Sequence, residues 1–181
     1  MNFNYHDHFL SQLTTPKNNV HDLVKILEDP NIGGFDKVDY LLDETSNKII
    51  RYIAQLFKNK TNEDLILLYF AGHGILDEQG VLYLATVETE RELPEATAIS
   101  SHFIKGRMDA SYSNRILLIL DCCYSGAFDR RKMSGLNAPV NTDNAFKGNG
   151  YGRIVITATD ATQYAWEGND QIGNIRNSLF T

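Results

Sequence analysis

The sequence predicts an α/β fold, a three-layer α/β/α sandwich around a mostly parallel central sheet. Three continuous apolar runs carry this reading: Leu65–Phe70, RILLILD at 115–121 and RIVITATD at 153–160. Runs of this length without alternation mark strands covered on both faces, the habit of parallel sheets. Between and before them lie segments with helical spacing, and alternating elements of this kind favour layered α/β folds over bundles or barrels.

Taken in order, the opening MNFNYHDHFLSQLTTP is polar and aromatic with no clear period. From Asn18, Val20, Leu23, Val24 and Leu27 recur at helical spacing until Pro30 stops the run. FDKVDYLLD suggests a short strand around Val38–Leu42. Thr45 or Ser46 can cap a second helix, with Ile49, Ile50, Ile53, Leu56 and Phe57 on its apolar side. The strand from Leu65 leads into AGHG. A DEQG turn and a short VLYLAT strand follow, then ISSHFIKGRM as helix or loop, before the second buried strand. The stretch from Phe128 to Gly152 is rich in Gly, Asn, Lys and Arg, has little period, and reads as a long exposed loop.

The 181 residues fit one domain, and 43% hydrophobic residues suit a globular chain. No run reaches the ~18–20 apolar residues that a membrane span needs, and no secretion signal is visible. A net charge of −6 without a basic stripe argues against nucleic acid and for basic protein or peptide partners. The only two cysteines are adjacent, which makes neither a disulfide framework nor a closed zinc site. Free thiols suit a reducing compartment, so a cytoplasmic setting is expected. His6, His8 and His21 leave a zinc site as a minor alternative, although no cysteine ligand belongs with them.

Two buried strands end in unusual chemistry. One delivers His73 between Gly72 and Gly74; the other delivers Asp121, Cys122 and Cys123. In parallel α/β sheets, ligands meet the carboxyl ends of strands. Side chains alternate along a strand, so Asp121 and Cys123 share a side and Cys122 turns toward the core as a small hydrophobe. Gly126 allows a tight turn after Cys123. A thiol beside an imidazole is a nucleophile–base arrangement, and backbone N–H groups at Gly74 and Cys123 are the natural oxyanion donors. His73 precedes Cys123 by 50 residues, the separation expected of a caspase-type signature.

With YFAGHG at 69–74, DCCYSGAF at 121–128, the NNVHDLVKIL helix, LYLAT and VITATDATQYAWEG at 155–168, residues 17–181 resemble the caspase–haemoglobinase class. The resemblance is to its bacterial metacaspase-like (orthocaspase) side. It implies a cysteine endopeptidase with His73 as base and Cys123 as nucleophile. It also implies cleavage after Arg or Lys, since the pocket acid of such enzymes sits two residues before the cysteine, here Asp121. A carboxylate there would bind a guanidinium or ammonium and repel a P1 aspartate. The resemblance further places Asn19, Ala71 and Asp160 near the P1 cleft, but with departures. Asn19 stands where relatives carry a second acid, and Ala71 where serine is common. Asp160 either supports the pocket or caps the next turn.

By the same resemblance, the loop at 128–152 matches a processing region, with Arg130, Arg131, Lys132 and Lys147 as candidate self-cleavage sites; a solvated charge run is the competing reading. Tyr124, Tyr164 and Trp166 line the cleft or simply pack. The usual first strand of the fold is not evident, and SLFT resembles the start of a small-subunit region, so the chain reads as a fragment. Thiol chemistry requires no cofactor. Calcium activation, known among eukaryotic relatives, stays open, with Glu88, Glu90, Glu92 and Asp129 as no more than exposed acids. Fused or associated sensor domains are the partners that relatives suggest, besides protein substrates. The alternative to an enzyme is a non-catalytic caspase-like module that regulates or binds a partner.

Overall fold

The computed structural model describes residues 1, 4–13, 16–124, 146 and 152–157, with only the backbone for 16–19, 123 and 124. Its centre is a five-stranded mixed sheet of order β3-β2-β1-β4-β5. β1 (Leu65–Leu76), β4 (Arg115–Tyr124) and β5 (Arg153–Thr157) run parallel. β2 (Leu82–Leu84) returns antiparallel beside the end of β1, and β3 (Ile99–Ser100) pairs antiparallel with β2.

The described helices include α1 (Pro16–Glu28), α2 (Ser46–Leu56), the single turn α3 (Pro94–Thr97) and α4 (Ser101–Asp109). Local chemistry sets their ends. The Thr45 hydroxyl accepts the Lys48 N–H to cap α2, and Glu88 accepts both the N–H and the hydroxyl of Ser46 at the same end. Glu88 is therefore half-buried and structural, not the exposed acid expected. Ser100 caps α4 through the His102 N–H. The DEQG turn is an Asp turn: Asp77 Oδ1 accepts from Gln79 and Val81, and Gly80 takes φ +80°.

One face of the sheet carries the main core. Ile66, Phe70, Ile116, Leu118, Leu120 and Cys122 pack with Ile49, Ile53 and Phe57 from the α2 region and with Ile104 and Met108 from α4. Phe146, inside the segment expected to be exposed, is completely buried in this cluster, where an aromatic ring recovers the most apolar area. At the start of the parallel ladder, the Gly152 carbonyl accepts the Ile116 N–H. A Cβ at Gly152 would lie 1.5 Å from the Asn114 carbonyl oxygen, and its φ is +93°, so only glycine fits this crossing.

Two further expectations fail. The Leu65–Phe70 run is not covered evenly: Ile66 and Phe70 are buried, Leu67 and Tyr69 are half-buried, and Leu65, first in its strand, is exposed. Ile154 and Ile156 of β5 are also exposed, so among the described residues the second face of the sheet is less closed than the first. No strand forms at Val38–Leu42 either. Tyr40 is exposed, and Asp43, at φ +49°, turns the chain and binds Asn4 through its carboxylate. Among the described residues no ladder forms here, and the segment lies as irregular chain with Leu41 resting on the core and its carbonyl accepting from the Met1 ammonium.

Candidate active site

The chemistry-bearing residues meet where β1 and β4 run side by side. Pairing is in register from Leu65↔Arg115 to Gly74↔Tyr124, so Ala71 is opposite Asp121, Gly72 opposite Cys122, and His73 opposite Cys123. Neighbouring strands lie about 4.8 Å apart, so the backbones of His73 and Cys123 are adjacent. Fifty residues of sequence separation thus collapse to one rung of a ladder. These rungs are the carboxyl end of the parallel pairing, as expected, although β1 itself does not stop at His73. It continues to Leu76 and turns into β2, which pairs Gly74 with Leu84. Gly74 is therefore a position inside the sheet rather than in an open loop.

A segment without regular structure holds the imidazole. Tyr5 and Leu10, buried at 4% and 2% exposure, pack with Ile75, Tyr83, Ala85 and Ala98 in a second core on the hairpin. Gln12 closes the segment on itself, accepting the Tyr5 N–H at 3.0 Å and donating to the Tyr5 carbonyl at 2.9 Å. Its outer side is tied down by His6 N–H on the Val87 carbonyl and by Arg91 N–H on Asp7. The Arg91 amide holds the Asp7 carboxyl below its usual range, against the effect of burial.

From this strap, two residues reach His73. The Tyr5 hydroxyl accepts the His73 backbone N–H at 3.0 Å, and the two rings lie 4.9 Å apart. The Ser11 carbonyl lies 2.8 Å from His73 Nε2, with the Ser11 hydroxyl at 3.4 Å. A carbonyl oxygen only accepts, so in the neutral ring Nε2 carries the proton and Nδ1 keeps the lone pair. That tautomer leaves Nδ1 as the ring's base.

Burial lowers the pKa of His73 below its ordinary value, opposed by the Ser11 carbonyl. In the Cys123→Ala protein, His73 is expected to titrate below its ordinary value of 6.5, as read by NMR. As pH falls through 6.5 the unfolded chain takes up this proton first. The contribution of His73 to stability is full above 6.5 and is lost progressively below it.

Asp121 is buried, and its Oδ2 accepts the Tyr69 hydroxyl at 2.9 Å. Ala71, its rung partner, is buried as well. Cys122 is buried in the main core, as alternation along β4 predicts. Of Asn19 only the backbone, in α1, is described. Asp160, Arg130, Arg131, Lys132, Lys147, Asp129, Tyr164 and Trp166 lie outside the described residues. Among the described residues no three potential ligands gather as a metal site; His8 stacks on Phe9 and His21 meets the edge of Tyr40. No helix among them is long and apolar enough to cross a membrane.

A caspase-domain family profile matches residues 1–181. The chain belongs to the caspase-domain family. That family is one of cysteine peptidases, whose substrates are proteins, and the mixed sheet flanked by helices agrees with its α/β fold. No curated protein matches the chain. Tyr5, Ser11 and Tyr69 are the site residues that sequence reasoning missed. The first two sit in a segment with no period, and Tyr69 is hidden within an apolar run.

Proposed function

We propose that this caspase-domain protein is a cysteine endopeptidase that hydrolyses peptide bonds after Arg, and after Lys, through a Cys123–His73 dyad. The observation that carries the dyad is the pairing of these residues on one rung, with the Ser11 carbonyl fixing the imidazole tautomer. His73 Nδ1 takes the thiol proton, and the thiolate attacks the scissile carbonyl carbon. Backbone N–H groups of Gly74 and Cys123 are the proposed donors to the tetrahedral oxyanion. The imidazolium then protonates the leaving amine, and a thioester to Cys123 remains. Water attacks the thioester while the imidazole accepts its proton, which releases the carboxylic acid and restores the thiol.

The P1 preference rests on Asp121, a buried carboxylate two residues before the nucleophile. Removed from water, such a charge favours a guanidinium or ammonium and disfavours another carboxylate. Asn19, Ala71 and Asp160 are proposed to border the same subsite. Arg130, Arg131, Lys132 and Lys147 are the proposed self-cleavage sites. The dyad itself calls for no cofactor, and the metacaspase-like subtype, a bacterial origin and a cytoplasmic setting belong to the same proposal.

Matched fluorogenic peptides ending in Arg, Lys or Asp, assayed with and without calcium, test it. Hydrolysis after Arg and Lys at least about 100-fold above Asp is expected. Cleavage after Asp would overturn the role of Asp121. Silence on all three peptides in both conditions would favour a non-catalytic, partner-binding module.

A further inference from the structure

We infer that Tyr69 is a specificity-determining positioning residue, whose hydroxyl fixes the Asp121 carboxylate for a basic P1 side chain; this rests on the basic-P1 reading of Asp121. Register makes the contact. In the parallel ladder Tyr69 pairs with Ile119 and Ala71 pairs with Asp121. Alternation puts Tyr69, one pleat earlier, on the same face as Ala71 and hence on the face of Asp121. The methyl group of Ala71 offers no hydrogen-bond donor to the carboxylate beside it. It also leaves the lane along the strand open for the longer phenol, which reaches Asp121 Oδ2 at 2.9 Å.

The chemistry of the donor matters. A buried carboxylate must be hydrogen-bonded, by neutral donors or by cations. A cation against Asp121 would cancel the charge that a basic P1 group is to meet. A phenol is an uncharged donor, so this hydrogen bond orients the carboxylate without itself cancelling its charge. Tyrosine does this with only two side-chain torsions to order, from a ring already half-buried in the sheet. Tyr69 acts through Asp121.

The test is Tyr69→Phe, which keeps the ring and removes the hydroxyl. The readout is the ratio of kcat/KM on a P1-arginine peptide to that on the matched P1-citrulline peptide, an uncharged analogue of nearly the same shape. The ratio is expected to fall roughly tenfold, chiefly through KM on the arginine peptide, with the citrulline reaction unchanged. In an Asp121→Asn background the same substitution is expected to leave the ratio alone, since the hydroxyl then has no carboxylate to hold. Equal losses on both peptides would reveal a merely structural role and overturn the inference. An unchanged ratio beside a wild type that prefers arginine would overturn it too, with the basic-P1 reading intact. A wild type that cleaves both peptides equally would remove that reading, and the role of Tyr69 with it.

Discussion

Cys123→Ala is expected to reduce kcat/KM on an arginine peptide on the order of 10⁴-fold or more, to the background of the assay. No neighbouring group can replace the thiol. Cys122 is the only other cysteine, and it is buried in the hydrophobic core on the far side of the strand. His73→Ala is expected to cost a similar factor, because the two residues share one rung and act as a unit. The double variant should then be no worse than either single one, since groups that work together are grossly non-additive. Steady-state hydrolysis of the three variants checks this. Losses that multiply would mean that His73 and Cys123 act separately. Appreciable turnover by Cys123→Ala would place the nucleophile elsewhere.

The second large effect concerns charge. Asp121→Asn keeps the shape of the side chain and an oxygen for the Tyr69 hydroxyl, and removes one negative charge from a buried site. Truncating one partner of a buried charge pair costs about 2–5 kcal/mol, which is about 30- to 4,000-fold in kcat/KM on arginine and lysine peptides. Alkylation of Cys123 by iodoacetamide, which has no P1 side chain, is expected to proceed at the wild-type rate. The two measurements together separate pocket from nucleophile. If alkylation slows along with hydrolysis, Asp121 tunes the thiol rather than the substrate.

What the sequence made legible follows the range of the interactions involved. Apolar runs announced β1, β4 and β5, and a threonine at the right place announced the cap of α2. Strand alternation alone separated the core cysteine, Cys122, from its neighbour. The ladder that sets His73 beside Cys123 was inferred only as two strand ends at one edge of a sheet; the exact rung depends on register, which no local pattern encodes. The same limit explains the false strand at Val38–Leu42. Its residues have the composition of a strand, but in the fold Leu41 rests on the core and its carbonyl accepts from the Met1 ammonium, with no ladder. The residues that hold the imidazole were missed for the opposite reason. Tyr5, Ser11 and Gln12 have no period, and their importance appears only once the chain closes over the hairpin.

That closure has a kinetic side. Ser11 lies 62 residues and Tyr5 68 residues from His73 along the chain. Contacts of such long sequence separation carry a large loop-closure entropy and tend to form late, after pairings that are already held by a growing sheet. His73 and Cys123 reach the same rung when β1 and β4 pair, but the Ser11 carbonyl meets the imidazole only when the segment that carries it lands. On a ribosome the order of synthesis is reversed: this segment emerges first and waits for its target. A chain with its sheet complete and residues 5–11 undocked is folded by most measures, and on the proposed dyad it is not yet ready as a peptidase.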